Sequence, residues 1–98
     1  MSSSVSRYIG SFVGTGAAID VREVGFRPRS IKLWNLGGLA AAVWAEGMAD
    51  ASCLKEVTAG TKSAVTANGI TPLSDGFRLG ADTDLNVSGE LVYFEVLG

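Results

Sequence analysis

The closing segment Leu91-Val-Tyr-Phe-Glu-Val-Leu97 constrains the fold more than any other stretch of the chain. It alternates with period two, so it reads as a β-strand with Val92, Phe94 and Val96 on one face and Leu91, Tyr93 and Leu97 on the other. Only Glu95 interrupts the second face. A strand of an antiparallel sheet normally has one wet side, and this one has almost none. Both sides therefore need cover, and in a chain of 98 residues a second subunit is a natural source of it. Val92, Phe94 and Val96 are expected in the core. Leu91, Tyr93 and Leu97 are expected at a subunit interface, with Glu95 at its edge or paired with an N-terminal arginine.

Composition points the same way. Apolar residues make up 47% of the chain and charged residues 18%, against about 25% charged in an average soluble domain. The length sets a single domain of modest intrinsic stability, to which assembly would add. The net charge of −2 argues against a nucleic-acid partner held by a general basic surface. Its distribution is uneven. Residues 1–33 carry five cations against two carboxylates, a net of +3, and residues 34–98 carry three against eight, a net of −5. Such a subunit could pack head to tail with its own copies, or the asymmetry could vanish on folding. The single cysteine, Cys53, excludes an internal disulfide and reads as a small apolar residue. No start of the signal-peptide kind is visible, and runs such as Leu39 to Ala45 are too short to span a bilayer. The expectation is a protein made in the cytoplasm with no membrane partner.

Turn signals recur about every ten residues, with short apolar runs between them. Ala18 to Arg22 and Ile31 to Leu36 read as strands. Gly37-Gly38 suits a tight hairpin turn, which would pair Trp34 with Ala41, Leu33 with Ala42 and Ile31 with Trp44. Each pair then shares limited volume. The alanines of Leu39 to Leu54 also suit a helix; Gly47 and the preceding glycine pair favour a strand, and the residues alone leave both open. Asn68-Gly69, Pro72 and Asp75-Gly76 mark further turns. The pattern predicts an all-β fold, a small antiparallel β-sandwich or barrel of the jelly-roll kind. Residues 1–13 read as a flexible N-terminal arm that adds to a sheet edge or reaches a partner through Arg7, Tyr8, Ile9 and Phe12; residues 14–98 read as the domain.

Chemistry is thinly represented. With no histidine in the chain, Ser-His-Asp and Cys-His nucleophiles and the commonest zinc ligand are excluded. Asp82-Thr-Asp-Leu-Asn86 resembles half a calcium loop, but Val87 stands where glycine is required and Tyr93 where a bidentate glutamate is required. Its Asp and Asn side chains are better suited to capping backbone amides. No set of residues supports an enzyme, a cofactor or a metal site.

The segments Phe26-Arg-Pro-Arg-Ser-Ile-Lys-Leu-Trp-Asn35, Trp44-Ala-Glu-Gly-Met48, Ala67-Asn-Gly-Ile70, Gly76-Phe-Arg-Leu-Gly80 and Asn86-Val-Ser-Gly-Glu-Leu-Val-Tyr-Phe94, in this order, resemble small structural proteins of tailed-bacteriophage virions. The similarity covers most of Gly14 to Gly98. It implies an all-β, non-enzymatic virion component, either a head decoration (cement) protein or a tail or fibre module. The absence of a heptad or repeat shaft favours decoration. That reading implies a homotrimer on the outer capsid surface, bound to the major capsid protein. A tail-borne host- or glycan-binding module, using Trp34 or Trp44 near Asp82 and Asp84, is the alternative, as is a tail or connector subunit.

Overall fold

The computed structural model describes residues 6–57 and 60–98. It is all-β: eight antiparallel strands form one sheet that curls into a nearly closed barrel. The strands are β1 (Arg7–Val13), β2 (Ile19–Val21), β3 (Ser30–Asn35), β4 (Ala40–Ala45), β5 (Ser52–Glu56), β6 (Lys62–Leu73), β7 (Gly76–Leu79) and β8 (Leu91–Leu97). Their spatial order is β1-β8-β3-β4-β5-β6-β7-β2, so β1 and β2 are the two edges of the sheet. The curl brings them toward each other without pairing them, and inside it the rings of Phe12 on β1 and Phe77 on β7 meet edge-on at 6.3 Å.

The core lies inside the curl. Ile31, Leu33, Ile70, Phe77, Leu79, Val92, Phe94 and Val96 are fully buried, each at an inward position of its strand. The closing strand is internal to the sheet, paired to β1 on one side and β3 on the other. Its Val92, Phe94 and Val96 face inward as the alternation requires.

Leu39 to Leu54 is strand, turn and strand. The β3–β4 hairpin has the register set by large-against-small pairing: Trp34 opposite Ala41, Leu33 opposite Ala42, Ile31 opposite Trp44. The positive φ of its four-residue loop falls on Leu39 (53°) rather than on Gly37 or Gly38. Gly38 serves close approach instead, since a Cβ there would lie 3.0 Å from Asn35 Nδ2 and 3.1 Å from Glu90 Oε1.

Three turn and boundary expectations are corrected. Asn68-Gly69 is a kink within β6, not a hairpin turn. Ser52 pairs with Ile70 but Cys53 with Val65, so residues 66–69 have no counterparts on β5. Asn68 takes φ 61°, and a Cβ on Gly69 would lie 2.8 Å from the Ala51 carbonyl oxygen. Pro72 also lies inside β6, opposite Phe77. β5 ends opposite Ile70, so the far side of Pro72 has no neighbouring strand that would need its missing N–H. Finally, Arg7–Val13 adds to the sheet edge, one of the two roles expected of it, but as a full strand rather than a flexible arm, paired to β8 at all seven positions. Tyr8 and Phe12 pack against the core, so the arm's aromatic side chains belong to the fold. Of the start expected to be mobile, residues 1–5 lie outside the described residues.

Candidate functional site

The outer face of β1, β8, β3 and β4 carries an apolar patch that no described part of the chain covers. Register assembles it. Val13 lies opposite Leu91, and Tyr93 lies between Ser11 and Trp34. Extending the Asn35–Val92 register by one residue sets Leu36 beside Leu91, and Leu39 closes the same hairpin loop. Exposure runs from 37% for Trp34 and about 41–42% for Tyr93 and Leu91 to 61% for Leu36 and Leu39. Isolated exposed apolar side chains are ordinary, but a contiguous patch marks a contact surface.

Beside the patch lies an open groove of about 350 Å³ between the β3–β4 loop and the end of β5, lined by Trp34, Leu36, Leu39, Ala41, Glu56 and Val57. The next row along the strands is charged. Glu95 is paired across strands with Lys32 and bonded by Arg7, whose Nη2 lies 2.7 Å from Oε2. The patch thus has an apolar centre and a rim carrying both charge signs, the anatomy of a protein contact.

Of the expected interface residues, Leu91 and Tyr93 sit in this patch. Leu97, half-buried, lies two rows away beyond Glu95. Of the four arm residues, Ile9 is exposed on the same outer face, Arg7 holds Glu95, and Tyr8 and Phe12 face inward. Trp44 is buried, with its indole N–H donating to the Ala49 carbonyl at 3.2 Å, so only Trp34 of the two tryptophans is available to a ligand. Sequence reasoning did not assign Leu36, Leu39 or Val13 to the site. Their common row exists only once β1, β8 and the β3–β4 loop are brought together.

The polar side chains that looked like chemistry hold the connection from Gly80 to Glu90 across one end of the barrel. Asp82 Oδ1 accepts from the amides of Asp84 (2.8 Å) and Leu85 (3.0 Å), and Lys55 Nζ donates to Asp82 and Asp84. Asn86 Oδ1 accepts from the amide of Thr15 at 2.8 Å, and its Nδ2 donates to the carbonyls of Ala17 and Gly80. Asn35 Nδ2 donates to the Asp84 carbonyl at 2.8 Å and to Glu90 Oε1 at 2.9 Å. Among the described residues, no group of three His, Cys, Asp or Glu side chains is placed to hold a metal ion. The donors and acceptors of this cluster are spent on one another, as buried polar groups require.

Burial works to lower the Lys55 pKa, but the carboxylates of Asp84 and Asp82 outweigh it and raise the value. Burial, followed by the Asp82 charge, pushes the neighbouring Cys53 thiol up to about 11. A thiol whose folded pKa is raised stabilises the fold fully below its unfolded value and loses that contribution as pH rises. Stability should therefore decline between about pH 9 and about pH 11, by about 2–3 kcal/mol. Urea titrations across this range should show the decline flattened in Cys53→Ala, whereas an unchanged slope would assign it to other groups.

Comparison with family models, with curated proteins and with solved structures finds no match for this chain.

Proposed function

We propose that this chain is a structural subunit of a tailed-phage particle, a head decoration protein that packs against copies of itself and binds the assembled shell formed by the major capsid protein. The observation that carries the proposal is the bare apolar patch around Leu91, Tyr93, Trp34 and Leu36. It accompanies a polar cluster whose bonds are internal and so offers no reacting group. The resemblance of the chain's motif order to that of small virion proteins, read from the sequence, supplies the setting. Function then lies in contact rather than reaction. A subunit that binds only the assembled shell stabilises that shell by mass action, without a cofactor and without direct contact with nucleic acid.

Antibody against the purified protein, imaged on particles of the phage that encodes it, tests the location. Head labelling is expected. Labelling at the tail tip, or none, overturns the decoration reading. One observation favours a second reading, a tail-borne glycan-binding module. Trp34 and Tyr93 are adjacent exposed aromatics, and Glu56 lines the groove beside them. Glycan-array binding abolished by Trp34→Ala, together with tail labelling, would select it.

A further inference from the structure

The edge of β1 is built to be paired, and nothing in the described chain pairs it. The Gly14 amide donates to the Glu90 carbonyl and the Gly98 amide to the Ser6 carbonyl, both in register with the β1–β8 ladder. These bonds fix the parity of the strand. Even-numbered residues of β1 turn their N–H and C=O toward β8, and Arg7, Ile9, Ser11 and Val13 turn theirs to the open side. Among the described residues, no backbone or side-chain hydrogen bond reaches those groups outside the β1–β8 ladder.

Monomeric proteins protect such edges with short strands, bulges, prolines or charges. The opposite edge follows that rule. β2 has three residues, and its Asp20 is held by Arg78 at 2.6 Å and by Arg22. β1 carries only one such device, the charge of Arg7 at its first position. It runs seven residues without proline or lysine, pairs without a register shift, and exposes Ile9 and Val13 at 60% and 54%.

We propose that the β1 edge is a second assembly surface whose occupant is β1 of a second copy, paired antiparallel about Gly10. The sequence is self-complementary in that register. Ile9 meets Ser11 of the other copy and Arg7 meets Val13, in hydrogen-bonded pairs, while Tyr8 meets Phe12 on the inner face. No like charges stand opposite each other, and every outward N–H and C=O of the four odd residues gains a partner. The two sheets become one. Of these pairs, Tyr8–Phe12 is an aromatic cross-strand pair of the kind that stabilises antiparallel sheets. The pairing concerns the isolated protein, so it stands or falls independently of head attachment.

The symmetry is two-fold, so the assembled mass should be an even multiple of the chain. Sedimentation and hydrogen exchange of the purified protein test this. In the wild type, the amides of Ile9, Ser11 and Val13 should become protected as concentration rises. Ser11→Pro removes an N–H that the fold itself does not use; it should fold, halve the assembled mass and leave the Ile9 and Val13 amides in fast exchange. Ile9→Lys, which places a charge on the open edge, should do the same without altering the backbone. A monomeric or odd-numbered wild type overturns the proposal. So does an even assembly that both variants leave intact, or protection of these amides induced only by a different protein.

Discussion

Phe94→Ala is expected to destabilise the fold by about 3–5 kcal/mol. A domain of this size has about 5–15 kcal/mol in total, so the variant should be partly unfolded in ordinary buffer. Phe94 is fully buried in the middle of β8. Its ring stacks on Tyr8 at 5.8 Å, meets Phe77 edge-on at 5.2 Å and lies 6.1 Å from Phe12. It also occupies the space above Gly10, where an added Cβ would come within 2.8 Å of its Cζ. One ring thus joins β8, β1 and β7, and with them the two ends of the sheet. Truncation opens a cavity whose walls are other rings on three strands, and such walls collapse poorly. At about 4–8 °C per kcal/mol for a domain of this length, the melting temperature should fall by at least about 12 °C. Phe94→Leu, which keeps much of the volume, should lose less. A loss below about 1 kcal/mol in Phe94→Ala would show that the barrel closes without this ring.

The inward half of that strand was legible because burial on one face leaves period two in the residues themselves. The β3–β4 register was legible for a related reason. Alanines at 41 and 42 opposite Trp34 and Leu33 encode volume complementarity locally, within a dozen residues. What stayed hidden is non-local. Arg7–Val13 pairs with Leu91–Leu97 at the far end of the chain, and Gly10 and Ser11 dilute its apolar alternation, so alone it resembles an arm. Gly10 is there because Phe94 fills its side-chain space, and only the fold reveals that. Asn68-Gly69 misled because the left-handed backbone that asparagine tolerates serves a strand kink as well as a hairpin turn. The capping role of Asp82 and Asn86 could be read from residue type. Their partners on β5 and in the β1–β2 connection could not, since nothing in the sequence marks Lys55 or Thr15 as neighbours.

Trp34→Ala combined with Leu91→Ala is expected to remove the contact made by the outer face while leaving the subunit folded. Both side chains are part-exposed in the single chain, at 37% and 42%, so their loss should cost the fold about 1–2 kcal/mol, well short of unfolding it. In a contact they lie in adjacent rows of the patch, next to Tyr93 and Leu36, where water is most completely excluded. Truncating a central tryptophan of that kind typically costs about 2–4 kcal/mol of binding, which corresponds to about 30- to 1,000-fold in affinity. The rim pair of Arg7 and Glu95 should matter much less, because exposed ion pairs contribute about 0–1 kcal/mol. Sedimentation across a concentration series should therefore show the double variant reduced to single chains, or to the pairs joined through β1, while it still melts cooperatively as a folded domain. Glu95→Gln should assemble almost as the wild type does. The combination with Ser11→Pro separates the two surfaces, since it should be monomeric throughout. If the double variant assembles with wild-type affinity, the apolar patch is not the contact, and the decoration reading loses the surface on which it rests.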